Sequence, residues 1–438
     1  MRTKQKHSLK NAELFKEKLL VWSQKFDDIV WLDSNKYNQE HSNYDAVLAV
    51  EAFTCIQTDY IDAFDKLKEY QSITNDWIFG YLTYDLKNDL EDLKSNNFDG
   101  LQFPDLYFFQ PKKLFLFKGN EVEMHYLHCV ESEMESDLNA IRHCKICQSE
   151  LVEDKRRGNL SNDIKIKLRI HKEEYFEKAN TILQHIHRGD IYEANFCQEF
   201  YAEDTIINPL ETYFKLNTIS KPPFATFLKC NDKYLLSASP ERYLKKKINT
   251  VISQPIKGTA KRSENKDDDA KLKQDLFKDE KERSENIMIV DLVRNDLSKT
   301  AIEGTVNVEK LCEINTYKQV HQMVSTVVSK VDKSVHPVTI LKSTFPMGSM
   351  TGAPKISAMK IIEDLEETKR GLYSGAVGYF APNRDFDFNV VIRSILYNET
   401  NKFVSYSVGG AITSKSVPLK EYEECLTKAK AMRTVLEN

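Results

Sequence analysis

The stretch KERSENIMIVDLVRNDL, residues 281 to 297, decides how this chain is read. Its spacing predicts a helix, with Glu282 and Glu285 three residues apart and therefore on one face. That face continues from Glu285 through Met288, Ile289 and Leu292, all apolar. A carboxylate on an apolar face needs a partner, because burying a bare charge is costly. The competing reading is a solvated helix start, where acids favour the dipole. The C-terminal stretch PLKEYEECLTKAKAMRTVLEN, 418 to 438, repeats the device. Pro418 suits a first turn. Glu421 and Glu424 are again three apart, and Lys428 lies one turn beyond Glu424. In water this is an ordinary Glu–Lys pair. Were the two helices to meet, their glutamates would surround one hard cation. Mg²⁺ takes a few carboxylate oxygens and keeps waters that a substrate carboxylate can displace.

Three further stretches suit an anionic substrate. FPMGSMTGAPKISAMKIIEDLEE, 345 to 367, carries Gly348 and Gly352 ahead of a helix started by Pro354, with Ile356, Met359, Ile362 and Leu365 on its apolar face. Glycines leading into a helix N-terminus offer free N–H groups to an anion, although such a turn is also common as plain structure. DFDFNVVIRSILYN, 385 to 398, reads as a strand with Arg393 among apolar neighbours. Arginine suits bidentate carboxylate recognition, and equally a buried ion pair. SYSVGGAIT, 405 to 413, brings glycine to a strand end. In SQPIKGTAKR, 253 to 262, Lys257 stands between Pro255-Ile256 and Gly258-Thr259, a long cation on a constrained backbone.

The whole chain bounds these readings. It has 438 residues, 41% hydrophobic, with a formal net charge of -4. That balance gives no electrostatic case for nucleic acid. No stretch has the run of about 18 apolar residues expected of a membrane span. The basic N-terminus has no apolar run after it and does not read as a signal peptide, so the expected setting is cytoplasmic. Eight scattered cysteines are expected to stay reduced there. The lone CxxC, HCKIC at 143 to 147, fits a variable linker better than zinc. Strands are expected at 45 to 56, 77 to 86, PFATFLKC and YLLSASP, and a hairpin over 106 to 130 turning at Lys118-Gly119-Asn120. The polar segment after residue 130 holds the expected boundary. An amphipathic helix follows over 171 to 190, capped by Gly189. The sum is an α+β or mixed α/β chain without a GxGxxG or GxxxxGK[ST] fingerprint.

SPER (239 to 242), PIKGT (255 to 259), SENIMIVDLVRNDL (284 to 297), GSMTGAPK (348 to 355), RGLYSGAVGY (370 to 379), IRS (392 to 394) and EYEE (421 to 424) occur in this order. Together they resemble the chorismate-utilising enzymes: anthranilate synthase component I, aminodeoxychorismate synthase component I, and the isochorismate and salicylate synthases. The strong match runs from about 172 to 435. The resemblance implies an α+β chorismate-binding fold of two packed antiparallel sheets flanked by helices. It implies an N-terminal anthranilate synthase component I-like region at 1–150 and a catalytic domain at 165–438. PIKGT, where anthranilate synthases usually have PIAGT, resembles the aminodeoxychorismate synthase pattern.

That resemblance implies amination of chorismate at C4 to 4-amino-4-deoxychorismate, for 4-aminobenzoate and folate. Lys257 would attack C2 as the C4 hydroxyl leaves, and ammonia would then enter at C4 and expel the lysine. An amine attacks only when neutral, so its pKa is expected to fall by desolvation or through Lys261, Arg262 and Mg²⁺. Glu241 is implied as the acid for the leaving hydroxyl, and Thr351 as a hydroxyl of the glycine-rich loop. Glu285 and Glu424 are implied as Mg²⁺ ligands, with Glu282 and Glu421 behind them or acting through water. Gly258, Thr259, Tyr373, Arg393, Gly409, Gly410, Ala411 and Lys428 are taken as substrate-binding positions. Two departures stand out. Gln322 replaces a histidine of the anthranilate branch, with His321 expected to face elsewhere, and Ala411 replaces a frequent glycine. No GxCxG nucleophile occurs, so ammonia is expected from a glutamine amidotransferase subunit, component II, or from solution. With no lyase domain expected after residue 438, the product would leave as aminodeoxychorismate. Ser34, Pro223 and Phe224 lie near positions where some relatives hold tryptophan. The alternatives are anthranilate synthase and a non-catalytic chorismate-binding paralogue.

Overall fold

A computed structural model describes residues 1–37, 41–145, 164–318 and 320–437. Its frame is one bent pair of strands. Ala46–Thr58 and Leu106–Lys118 run antiparallel along their length, and their register shifts between Ala52 and Thr54. On one side of that bulge the ladder continues through Asp28–Asp33, Phe224–Cys230, Lys233–Ser239, Ser394–Asn398 and Phe403–Thr413 to Glu193–Ala202. On the other side it continues through Ile78–Leu82, Ala376–Phe380, Phe386–Val390, Arg242–Lys247 and Thr250–Gln254 to Val320–Lys330. All these pairings are antiparallel. The two expected sheets are therefore joined through strands that belong to both.

Alternation along each strand feeds two cores. Val30, Val47 and Ala49 point into one, while Ile29, Trp31, Ala46, Leu48 and Val50 point into the other. The first core is rich in rings, with Phe108, Phe380 and Phe388 in mutual contact. The second is covered by helices, which contribute Phe15 and Leu19, Tyr175 and Ile182, and Cys425 and Met432.

Several sequence expectations are met. The hairpin turns at Gly119-Asn120, between Leu106–Lys118 and Glu121–Leu127. The helix Lys172–Arg188 ends on Gly189 in the left-handed conformation. The helices Glu280–Ser298 and Pro418–Glu437 form over the predicted stretches. Other expectations change. The region 1–150 and the domain 165–438 share ladders, since Asp28–Asp33 pairs with Phe224–Cys230 and Ile78–Leu82 with Ala376–Phe380. The line between them is one of sequence, not of the sheet. The single strand expected over 385 to 398 is two, Phe386–Val390 and Ser394–Asn398. Arg393 between them has φ 51°, a left-handed value unusual for a side-chain-bearing residue, and here the chain crosses from one sheet to the other. Pro354 caps rather than begins the helix Lys355–Leu365, and Ile356 is 45% exposed, outside its buried face. Gly409 and Gly410 lie inside Phe403–Thr413, not at its end. Cys147 of the CxxC lies outside the described residues.

Candidate active site

Lys257 owes its placement to a bulge. The strand Ile256–Lys261 pairs with Val320–Lys330 but slips between Ile256 and Thr259. Gly258, at φ 94°, makes the slip possible, and an added Cβ there would lie 3.1 Å from a Glu282 oxygen. Bulges re-aim side chains. Here the lysine turns out of the ladder, and its Nζ donates to Glu193 Oε1 at 2.9 Å. Both side chains are shielded from solvent, at 10% and 1% exposure.

Glu193 begins the strand Glu193–Ala202, and its position is fixed by pairing with Thr413 on one side and Ala353 on the other. Sequence reading missed it. Its signal was the one used for Arg393, a charge inside an apolar strand, here in IYEANF. Its second oxygen, Oε2, is buried without a hydrogen-bond partner.

Glu241 is the second acid near this amine. It is buried in the connection between Lys233–Ser239 and Arg242–Lys247, and its N–H donates to Ser239 Oγ. Burial pushes its carboxyl up to about 7, against opposing pulls from Ser349, Lys257, the Ile256 amide and Arg393. At that value it holds a proton near neutrality, as an acid for a leaving hydroxyl must. Burial also lowers Arg393, against the opposing charges of Glu241 and Tyr317.

The lysine itself overturns one expectation. Burial acts to lower its pKa, but Glu193, Glu285 and Glu241 outweigh burial and raise it. These three carboxyls favour the ammonium form of Lys257. Nor do the expected cations assist. Arg262 pairs with Asp269 at 2.9 Å, and Lys261 is exposed.

The two helices that carry the paired glutamates do meet. Lys281 Nζ lies 3.6 Å from Glu285 and 3.5 Å from Glu421. Glu424 pairs with Lys428 at 2.7 Å, and Lys428 donates to the carbonyl of Gly409 at 2.8 Å. Below them lies Gly410, where a Cβ would sit 3.4 Å from Glu421 Oε2 and 3.9 Å from Glu424 Oε1. Among the described residues no three carboxylates close into a metal shell as they stand. The donor set nevertheless fits a hard cation, being all carboxylate. Glu285 Oε1 is buried without a hydrogen-bond partner. Burial pushes Glu285 up to about 7, with Glu282 and Glu193 adding to the effect and Lys257 and Lys281 opposing it. Glu282 is raised as well, first by burial. Burial acts to raise Glu424, but Lys428, Lys281 and Lys257 together outweigh it and lower the carboxyl.

The remaining predicted residues are distributed unevenly. Tyr373 is buried, with its hydroxyl 3.5 Å from Cys197 Sγ. Thr351 is buried and directs its hydroxyl to the carbonyls of Met347 and Gly348 at 3.3 Å each. Thr259 is exposed and Ala411 is buried. Gln322, paired across the ladder with Thr259, is buried with its Oε1 unpartnered. His321 faces away, bonding Asp269 at 3.0 Å and Thr316 at 2.9 Å. Ser34, Pro223 and Phe224 line one cavity together with Tyr44 and Arg242.

A family model described as chorismate binding enzyme matches residues 27–434. The chain belongs to the chorismate-binding enzyme family. Among curated relatives of this chorismate-binding enzyme, an aminodeoxychorismate synthase of Streptomyces griseus is 40% identical over 62% of the chain and 37% of its own length. The aminodeoxychorismate synthase component 1 of Bacillus subtilis is 32% identical over 82% of the chain and 76% of its own length. The anthranilate synthase component 1 of Acetivibrio thermocellus is similar to the same degree, 31% over 82% and 74%. The chain spans only about a third of the length of the first relatives it matches. The fold matches the crystal structure of anthranilate synthase component I from Streptococcus pneumoniae, with TM-score 0.74 and 24% identity over 91% of this chain and 95% of that one. Among the described residues no helix is long and apolar enough to cross a membrane.

Proposed function

We propose that this chorismate-binding enzyme is an aminodeoxychorismate synthase component I, converting chorismate and ammonia to 4-amino-4-deoxychorismate. The observation that carries the reading is the Lys257 amine, shielded from solvent and held 2.9 Å from Glu193. Where the amine is replaced by alanine, as in PIAGT, covalent attack from this position has no nucleophile. In the proposed reaction Nζ of Lys257, once neutral, forms a bond to C2. Both ring double bonds shift, C1=C2 to C1=C6 and C5=C6 to C4=C5, and the C4–oxygen bond breaks. Glu241 gives its proton to the departing hydroxyl, which leaves as water. Ammonia then adds at C4 and the C2–nitrogen bond breaks, freeing the lysine.

A Mg²⁺ held by Glu285 and Glu424, with Glu421 and Glu282 behind or through water, would act as a Lewis acid anchoring a substrate carboxylate. Arg393, Tyr373 and the amides around Gly409 and Gly410 would hold the rest of the substrate. Lys281, now between Glu285 and Glu421, would give way to the metal. Ammonia would come from a glutamine amidotransferase partner, and the setting would be cytoplasmic. The cavity at Ser34, Pro223 and Phe224 would be the place for a structural tryptophan.

Anthranilate synthase is the second reading, favoured by relatives of that name at comparable identity. Incubation with chorismate, Mg²⁺ and ammonium, followed by mass analysis, separates the two. The proposal expects 4-amino-4-deoxychorismate. Fluorescent anthranilate without the 4-amino product would reject it, and binding of chorismate without consumption would point to a non-catalytic paralogue.

A further inference from the structure

We propose that Glu193 is the catalytic base for Lys257: it takes one proton from the Nζ ammonium before the amine attacks and returns it when the amine leaves. The inference rests on the reading of Lys257 given above. It answers a difficulty that the geometry raises, namely that the surrounding carboxyls favour the charged lysine, whose lone pair is engaged in an N–H bond.

Of the acids around Nζ, Glu193 is the one in direct contact, at 2.9 Å. Glu241 is committed to the leaving hydroxyl and already carries the proton for it. Glu285 faces Lys281 at 3.6 Å and belongs to the carboxylate set shared with Glu282. Glu424 feels the charge of Lys257 but is paired with Lys428. These are the charged groups facing the pair, and none of the others both touches Nζ and stands free. Glu193 Oε2 is buried and unpartnered, so the carboxyl has a vacant acceptor while Oε1 keeps its contact. Its backbone is clamped between two strands, so the distance to Nζ is set by the ladder.

The step balances internally. One N–H bond of the ammonium breaks and one O–H bond forms on Glu193, leaving a neutral amine beside a neutral acid. No net charge enters or leaves the cleft, which makes the exchange feasible where solvent is excluded. When ammonia displaces the lysine from C2, the O–H proton goes back to Nζ. The pair needs no solvent proton, so the parental rate is insensitive to hydroxide until Glu241 loses its proton above about pH 7.

The test compares the full-length parent with Glu193→Gln and Glu193→Asp, using chorismate, Mg²⁺ and ammonium between pH 6 and 9. For Glu193→Gln, kcat at pH 7 is expected to fall at least tenfold with the KM for chorismate within about threefold. Its pH optimum should move upward by a unit or more, because solvent must now deprotonate the amine. Glu193→Asp should recover part of the rate. A second readout needs no turnover: the pH dependence of Lys257 modification by trinitrobenzenesulfonate, read by peptide mass mapping. Its midpoint should fall in Glu193→Gln. A parental rate and optimum in that variant would overturn the proposal, as would an unmoved modification midpoint. Anthranilate as the parental product would instead reject the reading of the reaction, while the labelling still reports on the ion pair.

Discussion

Two cations shielded from solvent each bond a residue of the strand Glu193–Ala202, and they are treated very differently. Arg370 has every edge of its guanidinium engaged. It donates to both oxygens of Glu366 at 2.8 and 2.7 Å, to the carbonyls of Met350 and Asn195 at 2.6 and 2.7 Å, and it covers the ring of Tyr84. The Lys257 amine makes one hydrogen bond, among three carboxyls, and its neighbours Glu193 and Glu285 each hold a buried oxygen without a hydrogen-bond partner. A saturated charge fixes architecture. An undersaturated one leaves groups waiting for a ligand or a proton.

The contrast is open to experiment. Arg370→Met should have the largest effect, costing about 3–5 kcal/mol of stability by stranding Glu366 and two carbonyls. Urea melts measure it, and a loss under about 1 kcal/mol would erase the distinction. Lys257→Ala should cost less stability than Arg370→Met, because it strands the Glu193 carboxyl but no backbone carbonyl, lower C4 amination at least a hundredfold and keep chorismate affinity within several-fold. Parental turnover in that variant would remove the nucleophile.

The pH dependence sharpens the comparison further. Glu241 and Glu285 titrate near 7 in the folded chain, above the ordinary carboxyl value of 4.5. The folded state thus binds more protons, and their contribution to stability is present below about pH 4.5 and is lost as the pH rises through about 7. Glu285→Gln should therefore stabilise the metal-free protein by about 2 kcal/mol at pH 8 and by little at pH 5. Melting both proteins in chelator at the two pH values decides it. The smallest effect belongs to Glu424→Gln, expected to raise the Mg²⁺ needed for half-maximal rate about tenfold. An unchanged magnesium titration would take Glu424 out of the metal shell.

Much of the scaffold was legible because local chemistry and burial agree. The Gly119-Asn120 turn, the Gly189 cap and the strands feeding both cores follow from residue type and period. The split at Arg393 was not legible, since nothing in NVVIRSIL announces a change of sheet. The four glutamates were legible as pairs, but the amine of Lys281 lying across two of them was not. Lys257 stood out from its flanking proline and glycine. Its protonation state did not, because that depends on Glu193, brought from 64 positions away by strand pairing. Spacing reveals faces of an element; it does not reveal which faces meet.

The bent strand pair has a consequence for how the chain must be handled. A fragment starting near residue 172, where the family motifs begin, would leave Phe224–Cys230 and Ala376–Phe380 without their neighbours Asp28–Asp33 and Ile78–Leu82. Each would become a raw hydrogen-bonding edge flanked by naked aromatic surface, inviting self-association. The smallest expressible unit therefore includes the amino-terminal third, and single-step cooperative melting of the intact chain is the corresponding signature.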